Sequence, residues 1–154
     1  MSKSYGLAGL RVGWLAMKES AMLKQIAAQK DYATISNSAP SEVFAIIALR
    51  ARVRLIERSM RIIRSNLAVL DPFLSKWSDR ITCVRPRAGA IAFPKLRARE
   101  QIADVAARLV NSHGVLLLPV DVFDYPGNHF RIGFGRENFP EALARFDDFL
   151  ATIG

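Results

Sequence analysis

The sequence is poor in the residues that mark several common protein classes. It holds one cysteine, Cys83, in 154 residues, which excludes an intramolecular disulfide and fits a reducing compartment. No stretch approaches the ~18 to 20 consecutive apolar residues of a membrane-spanning helix. The N-terminus lacks a basic segment followed by an apolar one, so nothing there reads as a signal peptide. His113 and His129 stand without the Cys, His or carboxylate spacing of a metal site. Internal repeats and low-complexity segments are missing too. These absences leave a cytoplasmic globular chain as the expectation, one domain or a little more by length, with no metal and no membrane partner.

Acidic residues are scarce as well. Asp and Glu number 14 against 22 Lys and Arg, a formal net charge of +8. Arg50, Arg52, Arg54, Arg58, Arg61 and Arg64 supply much of that excess along one helical stretch. Such a patch could serve nucleic acid. These arginines, however, cover several helical faces, with no aromatic residue interleaved and no nucleic-acid motif nearby. The expectation is a solvated helix surface and no nucleic-acid partner.

What is present is concentrated at the start. Lys3 precedes a loop punctuated by Gly6, Gly9 and Gly13, with Arg11 eight residues after the lysine and an apolar, strand-like run from Leu10 to Met17. Glycines let backbone approach a bulky ligand and adopt positive φ. An arginine beside such a loop suits a phosphate, because its planar fork binds oxyanions bidentately. A lysine there can form a Schiff base with a carbonyl cofactor. The segment resembles the cofactor-lysine segment of class I/II aminotransferases, fold-type I enzymes that use pyridoxal 5′-phosphate (PLP). Their pattern reads roughly Ser-x-Ser-Lys-x-x-Gly-x-x-Gly-x-Arg-x-Gly, and from Ser2 onward this chain matches it without a gap. In that family the lysine lies past the middle of the polypeptide, and the pattern's first serine would precede Met1. The resemblance therefore implies the C-terminal part of a longer enzyme, begun at an internal methionine.

Further along, a helix is expected from about Ser20 to Gln29. Ser38 reads as an N-cap, with Pro40 tolerated in the first turn behind it. In the helical region that follows, Ile56, Met60, Ile63, Leu67, Leu70, Leu74 and Trp77 recur at spacings of four and three, an apolar seam. Pro72 inside the seam should kink or break the helix. Two strands, Ile81 to Val84 and Ala90 to Phe93, come next. They precede a helix from about Glu100 to Asn111 with Ile102, Val105, Ala106 and Leu109 on one face. A buried strand, Val115 to Leu118, and another, His129 to Gly135, lead to a last helix. Its start, Asn138-x-x-Glu141, resembles a capping box, and Leu143, Phe146, Leu150 and Ile153 point inward. His113 suits a helix C-terminus, where a cation is favoured. Cys83 reads as a small buried hydrophobe.

A second motif joins the first. In His129 to Gly135, Phe130, Ile132 and Phe134 share one strand face, while Arg131, Gly133 and Gly135 share the other. By itself Arg131 could be an arginine on a solvated face. The family carries a similar Phe-Arg-(Ile/Leu)-(Gly/Ser) segment near its C-terminus, whose arginine clamps the substrate α-carboxylate.

The resemblance implies an α/β chain: a remnant of the fold-type I large domain over residues 1–35, connecting helices over 36–78, and an α+β small domain over 79–154. It implies PLP as cofactor, amino acids and 2-keto acids as substrates, and a homodimer for the complete enzyme. Lys3 would bind the cofactor and act as general base, Arg11 would anchor its phosphate, and Arg131 would hold the substrate carboxylate. Ser2 either donates to the phosphate or caps a chain end. The partners of the cofactor ring lie upstream in the family, so this chain alone is not expected to transaminate. A same-fold PLP decarboxylase or lyase, and a non-enzymatic basic binding module, are the alternatives. One departure stands out. The family's Pro-Gly-x-x-Phe after the buried strand is here Pro119-Val120-Asp121-Val122-Phe123, and a valine would be strained if the glycine's φ is positive.

Overall fold

A computed structural model describes residues 1–152, so Ile153 lies outside the described residues. The chain forms two compact units, Met1–Ser59 and a second beginning at Met60.

The first unit is mostly helical. α1 spans Ser20–Ala33 and α2 spans Ala39–Arg50, with Ser38 at the N-cap position and Pro40 in the first turn. Proline is tolerated there because its missing N–H would have no intrahelical partner. Ahead of α1, Ala8–Leu10 form a 3-10 turn that packs beside α2. The run Leu10 to Met17 is not a strand. No segment among the described residues pairs with it, and without a neighbouring ladder an apolar run has no reason to stay pleated. Trp14 and Leu15 are accordingly 60% and 66% exposed.

α3 runs over Arg52–Lys76 and continues through Pro72; the interruption falls at Ala51 instead. Proline in a helix removes one hydrogen bond, and burial of the flanking Leu70 and Phe73 offsets that loss. Ile63, Leu67, Leu74 and Trp77 pack against the core as the seam requires, whereas Ile56 and Met60 are exposed. The six arginines at 50, 52, 54, 58, 61 and 64 are all exposed.

The second unit holds the core. β1 (Ile81–Thr82) pairs antiparallel with β3 (Lys95–Leu96), a short strand the sequence pattern did not reveal. β2 (Ile91–Ala92), β5 (Phe130–Gly133) and β4 (Leu118–Pro119) form a second antiparallel sheet in that order. The strands are shorter than expected, and Val115 and Leu117 are buried just ahead of β4. α4 (Ile102–His113) and α5 (Phe139–Thr152) pack on each other. Ile102, Val105, Ala106 and Leu109 of α4, and Leu143, Phe146 and Leu150 of α5, are buried as their 3.6-residue spacing demands. His113 closes the last turn of α4. Cys83 is half-buried rather than buried; burial and then Asp71 push its thiol up, so it stays protonated and is a poor nucleophile.

Asp147 ties α5 to α3. Its two carboxylate oxygens accept from Lys76 Nζ and Trp77 Nε1, both at 2.6 Å. The Lys76 bond is the main cause that holds the carboxyl below its ordinary value. A depressed carboxylate contributes stability above its unfolded value, and that contribution is lost as pH falls through the folded one. Thermal melts of Asp147→Asn should therefore differ from wild type at neutral pH and converge with it at acid pH. A constant offset across pH would rule this out.

Candidate functional site

Ser2, Lys3 and Arg11 share one folded loop of the first unit. The Gly6 N–H donates to the Lys3 carbonyl at 3.2 Å, closing a turn that begins at the lysine. Gly6 sits at φ +67°, a left-handed conformation that glycine adopts without steric cost. The next left-handed residue is not Gly9 or Gly13 but Arg11, at φ +53°. Arg11 ends the 3-10 turn: its backbone N–H and its Nη1 both donate to the Ala8 carbonyl, at 3.3 and 3.1 Å. A non-glycine residue held at positive φ is uncommon, and such residues cluster at ligand sites. Lys3 is exposed and has no acidic partner among the described residues. A Cβ placed on Gly6, Gly9 or Gly13 would meet nothing within 4 Å, so the loop is open to an incoming group.

Arg131 belongs to the second unit, in the middle strand of the three-stranded sheet. Phe130, Ile132 and Phe134 are buried while Arg131 is half-buried and Gly133 exposed, the alternation expected of a strand with one solvated face. Among the described residues Arg131 has no carboxylate partner. A cavity of about 80 Å³ touches Arg131, Ile132, Leu143 and Phe146. That is far below the roughly 300 Å³ at which ligand pockets begin, so it is a gap in packing rather than a cofactor site.

Two side chains that the sequence reading passed over pin this strand. Asn66, buried in α3, donates through Nδ2 to the carbonyls of Phe134 and Arg136, at 2.9 and 2.7 Å. At the other end, Asn128 Oδ1 accepts from the Ile102 N–H at 2.6 Å, and Nδ2 donates to the Glu100 carbonyl at 2.9 Å. Asn128 thereby caps α4 from outside its own chain segment. The available signal for Asn66 was a polar residue lodged next to an apolar seam, between Ile63 and Leu67. Val120, the departure from the family's glycine, is buried in a 3-10 turn of Val120–Phe123 and has no positive φ. The left-handed position falls instead on Asp124, at φ +48°, a residue type that tolerates it. The valine is unstrained.

A lysine amine, a guanidinium and a hydroxyl on one open, glycine-turned loop form the donor set that PLP requires: an amine for its aldehyde and a cation for its phosphate. The chain belongs to the family "Aminotransferase class I and II", whose sequence pattern matches residues 1–146. PLP is the cofactor of that family. Capreomycidine synthase of Streptomyces vinaceus is 33% identical over 154 residues, covering 99% of this chain and 39% of that protein. A PLP-dependent aminotransferase from Streptococcus suis 89-1591 superposes with a TM-score of 0.90 at 28% identity, covering 99% of this chain and 41% of that one. The PLP-dependent cyclase OrfR superposes with a TM-score of 0.86 at 30% identity, over 99% and 42%. The fold is thus that of the fold-type I PLP enzymes, and this chain spans about two fifths of the length of these relatives.

Proposed function

We propose that this chain contributes the cofactor-lysine loop and the carboxylate clamp of an aminotransferase, which moves an amino group between an amino acid and a 2-keto acid. The observation that carries this reading is the turn from Lys3 to Gly6 followed by the left-handed Arg11. Bound PLP supplies an electron sink for the charge left at the substrate Cα when its proton departs. Lys3 would hold the cofactor through Nζ and, when free, would act as the general base that takes up the substrate Cα proton and hands it on to the cofactor side. Arg11 binds the phosphate through charge-assisted hydrogen bonds, and the Ser2 hydroxyl donates to the same group. Arg131 holds the α-carboxylate and so orients the reacting bond. In the same reading residues 1–35 belong with the large domain, 36–78 connect, and 79–154 form the small domain of a cytoplasmic homodimer.

The two arginines should fail differently in the full-length protein. Arg11→Ala removes a charge-assisted anchor, typically worth ~1.5 to 3 kcal/mol, so PLP affinity should fall by roughly 10- to 150-fold. Arg131→Ala should leave PLP bound while raising KM for the amino acid and slowing turnover. Spectroscopic PLP titration beside steady-state kinetics reads both. Release of PLP by Arg131→Ala, with retention by Arg11→Ala, would overturn the assignment.

A second reading rests on a specific observation. Two of the relatives, at 33% and 30% identity, are named a synthase and a cyclase. Same-fold PLP chemistry without amino transfer, such as cyclisation or elimination at the substrate side chain, uses the same lysine and arginines. Transfer of labelled nitrogen from a donor amino acid to a 2-keto acid supports the aminotransferase. Substrate consumption without that transfer supports the second reading.

A further inference from the structure

Phe130 and Ile132 are buried, so His129, Arg131 and Gly133 occupy the opposite face of the strand. The register Ile91↔Gly133 and Ala92↔Ile132, carried one pair further, sets Phe93 opposite Arg131. The Phe130 N–H donating to the Pro94 carbonyl at 3.0 Å keeps that register. On the other side Leu118 stands opposite Arg131. Residues directly opposite on neighbouring strands share a face. Arg131 is therefore flanked on both sides by apolar side chains.

One flank is aromatic and open. Phe93 stacks on His129 with ring centroids 5.2 Å apart and 7° between planes. Tyr125 meets both rings edge-on, at 5.8 Å from Phe93 and 5.2 Å from His129. After this mutual packing Phe93 is still 38% exposed and Tyr125 54%. His129 Nδ1 is buried without a hydrogen-bond partner among the described residues, and ring stacking holds the side chain. At Gly133, the next position on the same face, a Cβ would meet nothing within 4 Å. A guanidinium without a partner among the described residues, an exposed aromatic wall beside it and a gap in the side-chain row adjoin one another.

We infer that the wall of Phe93, His129 and Tyr125 is a side-chain subsite beside Arg131, selecting carboxylate substrates that bear an aromatic or flat apolar side chain. The inference rests on Arg131 as the carboxylate clamp and adds the substrate class to it. A guanidinium fixes a carboxylate bidentately, which sets the direction in which the rest of the molecule leaves. Aromatic faces and edges then favour another ring in offset or edge-on contact. Lys95, bridged to His129 across the strands, is the competing anchor for an acidic side chain. It is exposed, and an exposed ion pair contributes little against solvent.

Calorimetric titration of the full-length protein with propionate, 3-phenylpropionate and glutarate separates these possibilities without depending on turnover. We expect 3-phenylpropionate to bind at least about tenfold more tightly than the other two. Phe93→Ala and Tyr125→Ala should each remove most of that advantage, and the exposed loop residue Tyr125 serves as the test if Phe93→Ala does not fold. Arg131→Ala should weaken all three acids. If Arg131→Ala weakens all three, but the phenyl group brings no advantage or keeps it in both wall variants, the subsite is wrong and the clamp stands. Preference for glutarate, lost in Lys95→Ala, also overturns the subsite alone. If Arg131→Ala weakens none, the clamp falls and the subsite with it.

Discussion

Lys3→Ala in the full-length protein is expected to lower turnover by about 10²- to 10⁴-fold, the usual loss when a positioned general base is removed. The same substitution should abolish covalent retention of PLP, leaving the cofactor held by Arg11 and other non-covalent contacts. Borohydride reduction followed by peptide mapping checks the assignment in the wild type. The label should lie on Lys3, and its appearance on Lys18, Lys24 or any other lysine would refute the role. The size of the effect follows from the two tasks that one amine performs. In the proposed role it holds the cofactor and also moves the substrate proton, and its sequence neighbours Ser2, Ser4 and Tyr5 are weaker bases. An added primary amine in the assay should restore part of the activity of Lys3→Ala if the missing function is proton transfer.

Phe130→Ala carries the other large effect, on stability. Phe130 is fully buried and meets Phe146 edge-on at 6.1 Å, and its backbone pairs with Pro119 and reaches Pro94. Removing a buried phenylalanine side chain typically costs about 3 to 5 kcal/mol, the lost transfer energy plus the cavity it leaves. Whole domains are stable by roughly 5 to 15 kcal/mol, so this change consumes a large part of the margin. Val122→Ala, at a position 62% exposed, should stay within about 0.5 kcal/mol. Urea unfolding followed by circular dichroism compares the two. Similar midpoints for both variants would mean that Phe130 does not anchor the core. Because Arg131 is the next residue, the same cavity should also loosen the proposed carboxylate clamp.

Elements with strong periodicity were legible in the sequence. α4 and α5 bury the residues their spacing selects, and β5 alternates as read, because one face of each meets the core and the other meets water. Legibility failed where a neighbour decides the outcome. Leu10 to Met17 has the composition of a buried strand, but a strand exists only through its ladder, and no segment among the described residues supplies one. β3 is two residues long, too short for any pattern, and is defined by its pairing with β1. Pro72 stays inside α3 because the packing of Leu70 and Phe73 outweighs one missing hydrogen bond.

The candidate site divides along the same line. The types and spacing of Ser2, Lys3, Gly6, Arg11 and Arg131 are local properties of the chain, so they could be read directly, and the family follows from them. That Arg11 rather than Gly9 or Gly13 takes the left-handed conformation was not readable, since it depends on how the 3-10 turn at Ala8 closes. Nor were the amide clamps of Asn66 and Asn128, each joining segments more than 25 residues apart, as their partners at Phe134 and Ile102 show. Sequence determined the family and its cofactor, because both are read from residue types at fixed spacing. Tertiary structure alone decided which side chains surround Arg131, because Phe93 and Leu118 reach it through strand pairing and not through sequence proximity.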